Sequence, residues 1–380
     1  MAAPIRRPSS SGFTLIEMLV AVAIFTILMI GLLNLLDTST KVTKLEAALA
    51  DTQENVRYAT YHIMRTARMM GGTIMPFART GAWVAGEVHD NVGANYAIFG
   101  TNIDNLAGSD VLVLRGFFDV TPFFINVNDV NPSGQTVTIR EHAYPGQPNE
   151  RLINDLSNFV GLVDLWVDRG LVIATPDLAT EIVPGQFIGG QYAVARVAAN
   201  SGVTGSAPDR QMVLTYDGAG GYGALNIDGT AVAANEPNFR SVTRMGILDS
   251  YAYYVDNQMV LRRLSQRAVA ITGTGPEPVA INIGNLQVEL GIDADGDTFL
   301  NPATEWDATP TLAEAMAGTG VIAMRFTVLG RTPFEVSDWT EPAVTFVTSG
   351  NMATPAASGA GPRHAKWRRM EVAVALRNFM

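Results

Sequence analysis

Asp293, Asp295 and Asp297 alternate in a glycine-containing loop and are followed by Phe299, Asn301 and Glu305. Hard oxygen ligands at positions 1, 3 and 5, with a main-chain carbonyl at position 7 (here Phe299), are how an EF-hand-like loop wraps calcium. The match is incomplete. Position 6 is Thr298 rather than glycine, position 12 is Thr304, and the acid Glu305 falls one place late. Three adjacent carboxylates repel one another unless a cation or solvent offsets their charge, so the loop reads either as a structural calcium site or as a solvated turn. Near the C-terminus, His364, Lys366, Trp367, Arg368 and Arg369, with Arg377 beyond, mix cations with an aromatic ring. Charge plus stacking is the chemistry of single-stranded nucleic-acid binding. The plainer reading is a strand whose cations offset an acidic head. The third feature is a lone carboxylate, Glu17, near the start of a long apolar run.

What is missing narrows the chemistry further. The 380 residues include no cysteine, which excludes disulfides, thiolate metal sites and a cysteine nucleophile. His62, His89, His142 and His364 show no metal-ligand spacing and are expected at the surface or as caps. There is no Gly-x-Ser-x-Gly elbow and no phosphate loop. A net charge of −10 argues against a protein that holds nucleic acid over its whole surface. The chain is therefore not read as an enzyme, and no cofactor is expected beyond the structural calcium.

The elements that carry these residues begin with the apolar run. From Phe13 to Leu36 the only ionisable side chain is Glu17, and Thr14, Thr26 and Asn34 are the only other polar ones. At ~1.5 Å per residue, 13–36 makes a helix of roughly 36 Å, enough to cross a ~30 Å hydrocarbon layer. An unpaired charge in such a layer costs at least ~2.5–3.5 kcal/mol, so Glu17 calls for a partner, or for a place at the headgroups. Upstream, Met1–Gly12 is polar and basic, with Arg6 and Arg7 and no acid. Basic residues before an apolar span favour an N-terminus left in the cytoplasm and a head sent across. Downstream, Val42, Leu45, Leu49, Val56, Ala59, Ile63 and Met70 continue at steps of three and four or their sums. That stripe marks an amphipathic helix over 37–72, ended by Gly71-Gly72. It suits packing against the chain's own sheet, with a coiled-coil seam as the other option.

Gly12-Phe13-Thr14-Leu15-Ile16-Glu17, behind its basic leader, resembles the processing site of type IV prepilins and pseudopilins. The resemblance implies cleavage after Gly12 by a prepilin peptidase and methylation of the new N-terminus at Phe13. It also gives Glu17 a partner, the free amine of a neighbouring subunit, a pairing that is reasonable in an apolar filament core. One departure is Asn34, with Gly31 nearby, where many major pilins carry a proline. Resemblance to a subgroup, the large minor pilins of the PilW kind, rests on four segments. These are Gly108-Ser109-Asp110-Val111-Leu112, Tyr253-Tyr254 with Leu261-Arg262-Arg263, Gly291-Ile292-Asp293-Ala294-Asp295-Gly296-Asp297, and Arg368-Arg369-Met370 through Leu376-Arg377-Asn378.

Beyond the helix the chain reads as strands. Residues 73–105, rich in glycine, alanine and asparagine, are expected to connect. Strands are expected at 110–114, 117–127 (Pro122 at an edge or bulge), 136–140, 171–174, 192–197 and 212–216. Further strands are expected at 242–255, 259–264, 279–283, 286–292, 321–329 and 370–376. A hairpin turn at Asp256-Asn257 joins the first two of these. No strand is read in 217–238, and 147–238 is expected to be a loop-rich insertion. Strand runs after one long helix imply an α+β fold, in which that helix packs on a large antiparallel β-rich head, 73–380.

The resemblance then implies a minor pilin that assembles or primes a type IV pilus near its tip. Its expected partners are the prepilin peptidase, other minor and major pilins, an inner-membrane assembly platform and, before assembly, the lipid bilayer. The head would be periplasmic. The alternatives are a large pseudopilin of a type II secretion system and a calcium-dependent adhesin or DNA-capture module displayed on a pilus. A membrane-anchored protein that never polymerises is a further option.

Overall fold

The computed structural model describes residues 14–70, 85–118, 122–131, 134–143, 149–158, 166–174, 181–183, 186–187, 192–218, 226–227, 230–231, 243–267, 269, 275–293, 295, 297, 299–301, 304–307, 321–333 and 367–375. Its elements run α1 (Leu15–Met69), β1 (Gly86–Val92), β2 (Tyr96–Ile98), β3 (Thr101–Ile103), β4 (Ser109–Gly116), β5 (Phe123–Ile125), β6 (Val130–Asn131) and β7 (Thr136–Arg140). Then come α2 (Asn149–Asn158), β8 (Gly170–Ala174), β9 (Glu181–Val183), β10 (Gln186–Phe187), β11 (Tyr192–Thr204), β12 (Gln211–Asp217), β13 (Asn226–Ile227) and β14 (Thr230–Ala231). The last are β15 (Thr243–Val255), β16 (Val260–Ser265), β17 (Glu277–Ile281), β18 (Ile283–Ile292), β19 (Trp306–Asp307), β20 (Val321–Arg331) and β21 (Trp367–Ala375). The chain divides into two units, Met1–Asp51 and Thr52–Met380.

In the first unit the helix presents its apolar side chains outward. None of its most apolar 18-residue window is buried, and Phe25, Ile27 and Leu28 are each more than 60% exposed. The hydroxyls on and beyond this stretch are satisfied within the helix: Thr26 donates to the Val22 carbonyl at 2.8 Å and Thr38 to that of Asn34 at 2.8 Å. Such back-bonding lets threonine sit in an apolar span without an orphan donor.

In the second unit the same helix is a core element. Val56, Ala59, Ile63, Ala67 and Met70 are each at most 2% exposed and recur at helical spacing. They pack with Leu112 and Leu114 of β4, Tyr253 and Val255 of β15, Leu286 and Val288 of β18, and Phe326 and Val328 of β20. Thr52 Oγ1 donates to the Arg331 carbonyl at 3.2 Å, and Met70 bridges to Gly116. Strands β1, β4, β15, β8, β11, β12, β7 and β6 follow one another in one antiparallel sheet, with β16 and β5 also on β15 and β17 on β16. A second sheet runs β19, β18, β20, β21.

Strand β15 does two jobs. Its C-terminal half, Asp249 to Val255, pairs with β4 and β16, whereas its N-terminal half pairs with β5 and β8. The N-terminal half belongs to a separate core built from Phe123, Ile139, Ile153, Trp166, Leu171, Ile173, Met212, Leu214 and Ile247. Asn149, fully buried at the start of α2, ties that helix in: its Oδ1 accepts the Phe124 N–H at 2.9 Å, and its Nδ2 donates to the Phe124 and Arg140 carbonyls. Strand β4 is buried on both faces, because Leu112 and Leu114 face α1's core while Val111 and Val113 meet Ile98, Ile103, Ala252 and Tyr254.

Several expectations need correction. The connecting segment 73–105 holds β1, β2 and β3 in its described part. Their short lengths, Asn91 and Asn95 at φ of 44° and 59°, and a register shift between His89 and Val92 mask the alternation. Of the strand read over 117–127, the described residues hold β5, and 119–121 lie outside them. Within 217–238 the two-residue strands β13 and β14 pair with each other. The stretch 147–238 contributes β8, β11 and β12 to the main sheet together with α2, more order than a loop-rich insertion implies. The hairpin after β15 turns through Asp256–Met259, with Met259 at φ 60° and its N–H donating to the Asp256 carbonyl at 2.9 Å. Gly71-Gly72 lie outside the described residues.

Candidate functional site

The residues that motif reasoning singles out lie first at the start of α1. Gly12 and Phe13 are outside the described residues. Thr14 and Glu17 form a reciprocal cap. The Glu17 carboxylate accepts the Thr14 N–H and hydroxyl at 2.9 Å each, while the Glu17 N–H donates to Thr14 Oγ1 at 3.4 Å. This is the Thr-x-x-Glu capping box, which satisfies donors that the first helical turn leaves orphaned. The four-residue Thr-x-x-Glu signature for this cap is present in the sequence. Within one chain, then, the acid already has a structural task.

The acidic loop leaves β18. Carboxylate oxygens of Asp293, Asp295 and Asp297 lie within 4.8 Å of one another. Asp293 is 8% exposed, whereas Asp295 and Asp297 face solvent. The backbone folds onto them: the Asp297 N–H donates to Asp293 Oδ1 and Asp295 Oδ1 at 3.2 Å each, and the Phe299 N–H to Asp297 Oδ1 at 2.7 Å. The Asp297 N–H pulls the Asp295 carboxyl down, but desolvation and the charges of Asp297, Glu305 and Asp293 outweigh it, leaving the group above its ordinary value. That is the mutual repulsion a cation would relieve. The other two candidate side-chain ligands are drawn together, because the Asn301 N–H donates to Glu305 Oε2 at 2.7 Å. The Phe299 ring is 77% exposed, leaving its carbonyl as the group it could offer. Three converging carboxylates in a donor set of hard oxygens fit a calcium-sized ion.

The C-terminal cluster is dispersed by its strand. Alternation along β21 puts successive residues on opposite faces. The Trp367 ring lies over Gly284, where a side chain would collide with it, and is engaged in packing rather than open for stacking. Arg369 pairs with Glu371, and Arg368 is exposed. Lys366 and His364 lie outside the described residues.

Two histidines are better integrated than surface residues would be. Tyr253 Oη sits 2.8 Å from Thr66 Oγ1 and 3.1 Å from His62 Nδ1, linking β15 to α1. Burial, then the charges of Arg263 and Arg65, push His62 below its ordinary value. His89 Nε2 lies 3.1 Å from Glu87 and its Nδ1 2.8 Å from Tyr96 Oη. Glu87 also takes Arg115 at 2.8 Å. Burial alone would raise the Glu87 carboxyl, but the His89 hydrogen bond and the Arg115 charge prevail and hold it at about 2. No local spacing announces the His62–Tyr253 contact or the Glu87–Arg115 pair, whose members are 191 and 28 residues apart.

Residues 7–33 match the family model described as the prokaryotic N-terminal methylation motif. Among solved structures the chain is similar to a type IV-like pilin from Thermus thermophilus, at 14% identity and a TM-score of 0.21, over 62% of this chain and 100% of that one. No curated protein matches the chain.

Proposed function

From the premise of a pilin-like chain that carries the prokaryotic N-terminal methylation motif, we propose that this protein is a minor pilin, cleaved after Gly12 and built into a type IV pilus-like filament. The observation that carries the reading is the motif in register with Glu17 at the head of an apolar helix whose side chains are exposed. An apolar surface of that length needs lipid before assembly and the helices of other subunits afterwards. Cleavage would be the work of a prepilin peptidase, and the amine it frees at Phe13 is the group that Glu17 of a neighbour would meet. The head would then lie on the far side of the inner membrane, and its size suits a position near a filament tip. The large pseudopilin of a type II secretion system is the sister reading. It predicts that loss of the protein stops exoprotein release while leaving pili intact. A structural calcium in the Asp293 loop goes with either, stiffening the exit from β18.

The experiment is the intact mass and N-terminal sequence of the protein isolated from its own cells. A chain beginning at methylated Phe13 supports the proposal. A chain retaining Met1 to Gly12, or cut beyond the apolar run, removes it.

A further inference from the structure

Along 46–65 the outward face of α1 carries a pattern of its own. Glu46, Ala47, Ala50, Asp51 and Glu54 are followed, eleven positions on, by Arg57, Tyr58, Tyr61, His62 and Arg65. Each acid is matched by a basic side chain and each alanine by a tyrosine. Eleven residues make about three helical turns, ~16.5 Å, so the two rows lie one above the other on the same side of α1. The opposite side holds the buried Val56, Ala59 and Ile63. Every member of the two rows is exposed except His62, which is half-buried, and Tyr58 and Tyr61 are 54% and 56% exposed.

The basic row has the composition of an interface that still lacks its partner. Tyrosine and arginine are the side chains that protein–protein contacts favour, and here two tyrosines sit between arginines within three turns. Among the described residues none of these acids or arginines takes part in an ion pair. Burial, then the charges of Arg263 and Arg65, disfavour a proton on His62, with Glu277 opposing them. His62 turns its Nδ1 to Tyr253 Oη at 3.1 Å, so Nε2 is the nitrogen that would meet an outside carboxylate.

We propose that two copies of this chain dock side by side through this face, parallel and displaced by eleven residues. Glu46, Asp51 and Glu54 of one copy then stand against Arg57, His62 and Arg65 of the other. Tyr58 and Tyr61 lie over Ala47 and Ala50 of the neighbour, large against small, which suits the ordinary interaxial distance of about 8–10 Å. The only like charges directly opposed in this register are Arg68 and Arg57. An antiparallel pair would also oppose the rows, Glu46 to Arg65 and Glu54 to Arg57. It is disfavoured because α1 of every copy begins with the same exposed apolar run behind a basic leader, and one bilayer orients them all alike. The inference rests on the membrane-held pilin reading and deepens it by naming the neighbour and its register.

The chain has no cysteine, so introduced thiols report without background. Full chains carrying Glu46→Cys and Arg57→Cys are co-expressed and oxidised in their membranes. A disulfide between the two chains is expected, and it should fade as salt screens the remaining pairs. Glu46→Cys with Arg65→Cys, the antiparallel match, should give no product, and neither should any of these chains alone. Adding Glu54→Arg to the Glu46→Cys chain should abolish the product, and adding Arg65→Glu to its partner should restore it. A product from the antiparallel match, or from neither pairing, overturns the proposal, and so does failure of the charge swap to restore the product. Intact mass on the same sample reads processing separately. A product from unprocessed chains leaves the register standing and removes the pilin reading; chains beginning at Phe13 that give no product do the reverse.

Discussion

Gly116 ends β4 where α1 finishes, and Gly116→Ala tests that junction directly. A Cβ built there lies 2.8 Å from the Met69 carbonyl oxygen, 2.9 Å from Phe118 Cε1 and 3.0 Å from Met70 Cα. Carbon atoms pack best at about 3.5–4.0 Å, so the methyl is short of room by roughly half an ångström or more against two backbone atoms. Neither can swing aside as a side-chain tip would, and the helix end and the strand must part. Overpacking of this kind costs about 1–3 kcal/mol, and backbone neighbours put the expected loss at ~2–3 kcal/mol. The control is Gly93→Ala, where a Cβ meets nothing within 4 Å. There the main effect is a less flexible unfolded chain, worth about 0.4–1 kcal/mol of stabilisation. The assay is urea unfolding of the full chain in detergent, read by tryptophan fluorescence. The two substitutions should move the midpoint in opposite directions. If Gly116→Ala tracks Gly93→Ala to within about 0.5 kcal/mol, the close approach of α1 to β4 is wrong.

Three further outcomes are expected. Glu17→Gln keeps an oxygen for the Thr14 N–H and should preserve the helix start while stopping incorporation into filaments. Glu17→Ala should lose both the cap and the incorporation; filaments that tolerate the glutamine would show that the charge pairs with nothing. Glu87 sits at about 2 in the fold against an ordinary 4.5, so its contribution, on the order of 3 kcal/mol, is present above pH 4.5 and lost as pH falls through about 2. Arg115→Met should move the acid limb of a stability–pH curve upward, and an unmoved limb would discredit the Glu87–Arg115 pairing. Calcium should raise the melting temperature of the wild type, by about 2.7 kcal/mol of linkage at a hundredfold excess over its dissociation constant, and leave Asp295→Asn unchanged. Identical melting with calcium and with a chelator would reduce the loop to a solvated turn.

The N-terminal helix and its motif are legible in the chain alone because their determinants are local. Helix α1 rests on unbroken apolar composition from Phe13 and then on a stripe at steps of three and four. Its cap is a four-residue signature, and the methylation motif is a contiguous string. Strand β7 was legible from end to end for the same reason, since Thr136 to Arg140 alternate across a half-buried surface. The three aspartates of the loop after β18 likewise converge because two-residue spacing places them together.

The rest waited for tertiary structure, and the reason is sequence distance. β1 carries Glu87, His89, Asp90 and Asn91, a composition that reads as a loop. It is a strand because β4 offers it a partner and Arg115 takes its acid. Trp367 and Arg369 look like a nucleic-acid platform in a row, but the strand's pleat and the gap over Gly284 turn the ring into packing. Ser109 and Asp110 stood out as a motif without a task. Only the fold brings the β18 amides of Leu286 and Val288 against them, 177 and 178 residues away. Composition and spacing thus determined which segment is apolar and helical. Which buried polar groups meet, and so where the head is held together, was decided by strand pairing that no local pattern encodes.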